Sequence, residues 1–152
     1  MKKNLIVSCT LMLFLFFSSC EKSGKKDLTR ISYGTSFGMC VDYCVRNMVI
    51  VEQQVTYTKS KNGSNPDPKT CTNTISKEEL DEIKSLSEAS KINSLPGVIG
   101  CPDCADGGAE WIEMTTNGKK YKVTFEYNNT PNELKAIAIK LRALATSFKD
   151  CN

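Results

Sequence analysis

Apolar and polar positions along this chain resolve into strands and helices before any chemistry is considered. Leu28 to Phe37 (LTRISYGTSF) sets β-branched and aromatic residues around Gly34 and reads as a first strand. Val45 to Val51 reads as a second strand. Val55 to Thr58 is its hairpin partner across a turn near Glu52-Gln53. Lys59 to Lys69 (KSKNGSNPDPK) is dense in turn-forming residues and reads as an exposed loop. Ser76 and Glu79 have the spacing of a capping box, and Ile75 and Leu80 that of a hydrophobic staple. A helix therefore begins there, with Leu80, Ile83 and Leu86 as its apolar stripe. Thr130-Pro131-Asn132-Glu133 reads as a second capping box with proline at the first helical position. Leu134, Ile137, Ala138, Leu141, Leu144 and Phe148 continue as a helical stripe, and both stripes read as core.

Glu110 to Tyr127 carries the clearest pattern. Asn117-Gly118 is the preferred pair for a two-residue hairpin turn. That turn sets Thr116 opposite Lys119, Met114 opposite Tyr121 and Ile112 opposite Val123, so the apolar pairs share one face. Glu113 opposite Lys122 falls on the other face as an ion pair, beside Trp111 opposite Thr124. The resulting order, βββαββα, predicts an α+β domain: an antiparallel sheet with two helices packed on one face. Trp111, the only tryptophan, is expected among charged residues on the face away from the helices. Either the loop at Ala105 to Ala109 covers it, or it is free to anchor a partner.

The first residues follow a different plan. Lys2 and Lys3 precede a mostly apolar run from Leu5 to Phe17, and Ser18-Ser19 lead to Cys20. As a helix this run rises about 20 Å, short of a hydrocarbon core of roughly 30 Å, so it reads as an export signal and not as a span. Phe17-Ser18-Ser19-Cys20 resembles the lipobox of bacterial lipoproteins, with Phe17 where leucine is usual. The resemblance implies a signal peptide over 1–19 and a lipid-bearing Cys20 at the mature N-terminus. Two or three acyl chains would anchor it stably in the membrane. Residues 20–27 then form the lipidated end and a solvated tether, and 28–152 a single domain. Glu21 is not the aspartate associated with inner-membrane retention, which favours the outer membrane of the cell envelope.

The formal charge of +3 falls close to neutral once Lys2 and Lys3 leave. Such a balance gives no electrostatic case for nucleic acid. There are 0 histidines, which removes Ser-His-Asp and Cys-His catalysis and every histidine-containing metal site.

Cys40, Cys44, Cys71, Cys101, Cys104 and Cys151 remain in the exported domain. An even number in an oxidising compartment reads as three disulfides. Spacing alone leaves the connectivity open. Loop closure favours Cys40–Cys44, Cys101–Cys104 and Cys71–Cys151, because the two close pairs meet within their own loops. Two rivals use the same residues. Cys40-x3-Cys44 with Cys101-x2-Cys104 has spacing suited to a structural zinc module. Cys101-Pro102-Asp103-Cys104 has that of a thiol-disulfide oxidoreductase, although Asp103 and Asp106 would raise a thiol pKa. Asp103, Asp106 and Glu110 lie close together without EF-hand spacing, and Asp106 before two glycines reads as a turn former.

Cys40 and Cys44, with Asp106, Gly118 and the helix from Pro131, also resemble an uncharacterised family of exported bacterial domains. That family has a Cys-x-Gly-x-Cys loop, and Asp42 stands here in place of its glycine. The likeness spans most of 28–145 and implies a shared fold without an activity. The function expected from sequence is a non-enzymatic envelope module that needs no cofactor and binds an envelope protein or another cell-envelope component.

Overall fold

The computed structural model describes residues 27–148 and 151. The export signal over 1–19, Cys20 and the tether as far as residue 26 lie outside them. Seven strands form one sheet: β1 (Leu28–Ser36), β2 (Val45–Val51), β3 (Gln54–Ser60), β4 (Lys69–Thr74), β5 (Val98–Ile99), β6 (Ala109–Thr116) and β7 (Lys119–Glu126). Two helices accompany them, α1 (Lys77–Ala89) and α2 (Lys135–Thr146). The strand order is β4-β3-β2-β1-β6-β7-β5, antiparallel except where β5 runs parallel to β7. The first strand in sequence is thus held on both sides, by β2 and by β6.

The class is α+β, as expected, but the order βββαββα lacks two strands. β4 takes the last residue of the expected Lys59 to Lys69 loop and the segment that follows it. Its sequence, KTCTNT, has no apolar alternation because it is an edge strand with most side chains exposed. Its pairing with β3 is carried by backbone bonds and by contacts such as Thr58 Oγ1 to Thr70 Oγ1 at 3.0 Å. β5 has 2 residues, too few to carry a periodic signal.

One face of the sheet supplies Ile31, Tyr33, Met48, Ile50, Val55, Tyr57, Ile112, Met114, Val123 and Phe125 to the core. Leu80 and Ile83 of α1 and Ile137, Ala138 and Leu141 of α2 complete the same cluster. The hairpin register is the one that Asn117-Gly118 dictates, with Ile112 opposite Val123 and Met114 opposite Tyr121. Both turn residues have positive φ, 50° and 72°, the values a two-residue hairpin turn of this type requires.

Capping follows sequence at one helix and departs from it at the other. Ser76 Oγ accepts the Glu79 N–H at 3.1 Å and caps α1. Thr130 does not cap α2. Its hydroxyl accepts instead from Arg142 at 2.9 Å, and the chain enters α2 through a 3₁₀ turn over Asn132–Leu134. The competing hydrogen bond to a charged donor is the stronger one.

On the opposite face, the Trp111 indole lies against Gly34, its partner across β1 and β6. A Cβ at Gly34 would overlap that ring and stand 2.6 Å from the Arg46 carbonyl oxygen. Trp111 is half-buried there, and the Lys122 ammonium sits 5.1 Å above its ring centre. The cover at the indole therefore includes the space that glycine leaves and a neighbouring lysine. Glu113 pairs diagonally with Lys120 at 2.9 Å and not with Lys122 opposite, which the indole has engaged. Gly34→Ala is expected to cost about 1–3 kcal/mol through this overlap, read by urea unfolding. An unchanged midpoint would show that the indole can move aside freely.

Candidate functional site

One transverse row of the sheet leads to the site. Glu110 of β6 stands opposite Thr35 of β1, Thr35 opposite Arg46 of β2, Arg46 opposite Lys59 of β3, and Lys59 opposite Lys69 of β4. Because strand partners share a face, all five project to the side that carries the helices. The row lies at the end of the sheet away from the Asn117-Gly118 turn.

At one end of the row, Glu110 is fully buried, at 0% exposure. Arg142 of α2 answers it. Its Nη2 reaches the two carboxylate oxygens at 2.7 and 2.8 Å, and its Nε donates to Oε1 at 3.2 Å. Tyr33 joins both groups. Burial pushes its phenol well above the usual tyrosine value, and the charge of Glu110 adds to that. The neutral phenol is thus favoured by folding. The associated stability is fully present below about pH 10 and is lost as pH rises further. Tyr33→Phe is expected to make alkaline unfolding shallower, as followed by circular dichroism from pH 9 to 12. An identical alkaline profile would remove Tyr33 from that dependence.

Over the middle of the row, at Thr35, Arg46 and Lys59, a cleft of about 500 Å³ opens beside α2. It is lined by Tyr33, Arg46, Met48, Tyr57 and Lys59 from the sheet, by Arg142, Ala145 and Thr146 from α2, and by Cys40 to Tyr43 and Tyr127 at its edge. Burial raises the Tyr57 phenol, and the nearby Arg46 opposes that shift. Lys59 and Lys61 stand over the Tyr43 ring at 4.9 and 5.6 Å from its centre. Lys61 is paired with Asp67 at 3.1 Å. Among the described residues, Arg46, Lys59 and Lys69 take part in no salt bridge.

All six cysteines of the domain are paired, as Cys40–Cys44, Cys71–Cys151 and Cys101–Cys104. The first closes the loop at the cleft's edge. The second ties β4 to the end of the chain beyond α2. The third sits in an exposed loop whose Asp103 carboxylate accepts from the Gly38 N–H at 3.2 Å, so the two short-range disulfide loops meet at one end of the sheet. Cys101 N–H donates to Glu126 Oε1 at 2.8 Å. Asp103, Asp106 and Glu126 thus surround the CxxC segment with carboxylates, and no α-helix begins at it. A reactive thiolate is favoured by the reverse arrangement. With sulfur bonded to sulfur in both short pairs, the four cysteines offer no thiolate set to zinc in this state.

Trp111 and the cleft lie on opposite faces and do not form one site. In the sequence the cleft has one signal, Arg46, Tyr57 and Lys59 in adjacent strands with Tyr43 just before the first of them. No protein-family profile matches the chain, and no curated protein matches it significantly. The likeness to an exported domain family therefore rests on the residues quoted above.

Proposed function

We propose that this chain is a lipid-anchored envelope lipoprotein whose exported domain is a non-enzymatic binding module, with the cleft beside α2 as its site. The observation that carries this reading is the cleft itself. A well-packed core continues into it through Tyr33, Met48 and Tyr57, yet α2 leaves it open, and polar rings and cations line it. A concave, largely preformed hollow with a few converging polar groups is the usual form of a ligand site. The sequence supplies the address: the lipobox-like Phe17-Ser18-Ser19-Cys20 and the tether behind it. The outer membrane is the favoured location, and an envelope protein or another envelope component the partner class.

Two measurements test this. The full-length chain is expected in the membrane fraction with acyl mass on Cys20, and Cys20→Ser is expected to release it or leave it uncleaved. A mature chain beginning elsewhere without acyl mass would end the anchor claim. Capture from envelope extracts by the purified domain is expected to weaken when Ala145→Trp fills the cleft. An identical captured set with the filled variant would remove the cleft from binding.

The surface-exposed Cys101–Cys104 bridge supports one alternative, thiol-disulfide exchange. Titration of free thiols before and after mild reduction separates the two. Selective, reversible opening of that bridge alone would favour the oxidoreductase.

A further inference from the structure

We infer that the cleft binds an acidic oligosaccharide, with its carboxylates on Arg46 and Lys59 and a sugar ring against the tyrosines. This rests on the cleft being a binding site. The row of cations carries an electrostatic cost. Arg46 opposes Lys59 and Lys59 opposes Lys69, so three cations stand side by side across β2, β3 and β4. Cβ atoms of such partners are about 5 Å apart, and like charges so placed destabilise a sheet. The only acid in the row, Glu110, is fully buried and already held by Arg142. Nearby, Asp67 is engaged by Lys61, and Asp42 lines the cleft's rim. The first two cations of the row therefore line the open cleft without a carboxylate partner among the described residues.

What relieves that repulsion is an anion with at least two charged groups, spaced to reach neighbouring strands. Arg46 presents a planar fork suited to a carboxylate, and Lys59 a point charge beside it. The remaining lining selects further. Tyr43, under Lys59 and Lys61, and Tyr127, packed edge-to-face with Phe37, stand at the wall, and the mostly buried Tyr33 and Tyr57 line the sheet side. Aromatic rings with hydroxyls suit the apolar faces and hydroxyl groups of a sugar better than they suit a compact inorganic anion. The volume, about 500 Å³, admits a small sugar unit, and Lys69, outside the cleft but opposite Lys59, stands where a next acidic unit would emerge.

Calorimetric titration of the purified domain tests the assignment with three probes: a galacturonic acid trisaccharide, the neutral galactose trisaccharide and inorganic pyrophosphate. The acidic sugar is expected to bind. Arg46→Gln and Lys59→Gln are each expected to weaken it about tenfold or more, the scale of one charge-assisted hydrogen bond. The neutral sugar and pyrophosphate are expected to bind at least about tenfold more weakly than the acidic one. Both variants relieve like-charge contacts, so their unfolding midpoints in the absence of ligand are expected to hold or rise. Equal binding of pyrophosphate would overturn the sugar assignment, and equal binding of the neutral sugar the charge assignment. If no probe binds while Ala145→Trp still abolishes capture from envelope extracts, the cleft is a binding site for another ligand and this inference alone falls.

Discussion

Arg142→Met is expected to lower the stability of the domain by about 3–5 kcal/mol, because it strands a charge that has no route to water. Glu110 is fully buried, and three hydrogen bonds from Arg142 satisfy its carboxylate. The same guanidinium holds Thr130, so its loss also frees the entry to α2. The companion variant decides the interpretation. Glu110→Leu combined with Arg142→Met removes both charges, and replacing a buried pair by apolar residues is often close to neutral. The double variant is therefore expected to recover most of the loss in urea unfolding at neutral pH. If the double variant is as unstable as the single one, shape and the Thr130 contact matter at this position more than charge.

Cys71→Ser with Cys151→Ser is expected to cost a further large amount, about 4–5 kcal/mol in the chain-entropy account. The bridge spans 80 residues of sequence, whereas Cys40–Cys44 and Cys101–Cys104 span 4 and 3. The corresponding effect of each short bridge is about 2 kcal/mol in the same account. The long bridge also fastens an edge strand whose side chains bury little, next to Tyr57 and Phe148, which stack at 5.5 Å. Its removal is expected to lower the melting temperature by roughly 15 °C. Losses of equal size from the short-bridge variants would show that local packing, and not loop closure, sets the effect.

What the sequence made legible was local. The Ser76 cap, the Asn117-Gly118 register and the burial of Ile137, Ala138 and Leu141 each depend on residues within a turn or two of one another. The three cysteine pairs were accessible to loop-closure reasoning for a similar reason. β4 was not, since threonines and lysines on an edge strand carry no alternation. The capping-box spacing at Thr130 does not reveal its competing partner, Arg142, which lies 12 residues further on. The cleft was hidden more deeply. A near-neutral total charge says nothing about placement, and Glu110 joins the row of Arg46, Lys59 and Lys69 only because β1 is inserted between β2 and β6. Charge patterning across a sheet is a property of strand order, which composition does not contain.

The position of β1 has a mechanical consequence. The chain enters it at Leu28, beside the Asn117-Gly118 turn, while the cleft lies at the far end of the same strand near Thr35. A strand of 9 residues spans about 30 Å. A membrane tether acting through residue 27 and a ligand held in the cleft would thus pull along the strand from opposite poles. Force on that line loads the hydrogen bonds of β1 to β2 and to β6 together, in shear, so they must yield as a group. The same pull applied at an edge strand would open its bonds one after another. Under the proposed lipid anchor, attachment through the central strand would suit a domain that holds a ligand while the membrane beneath it moves.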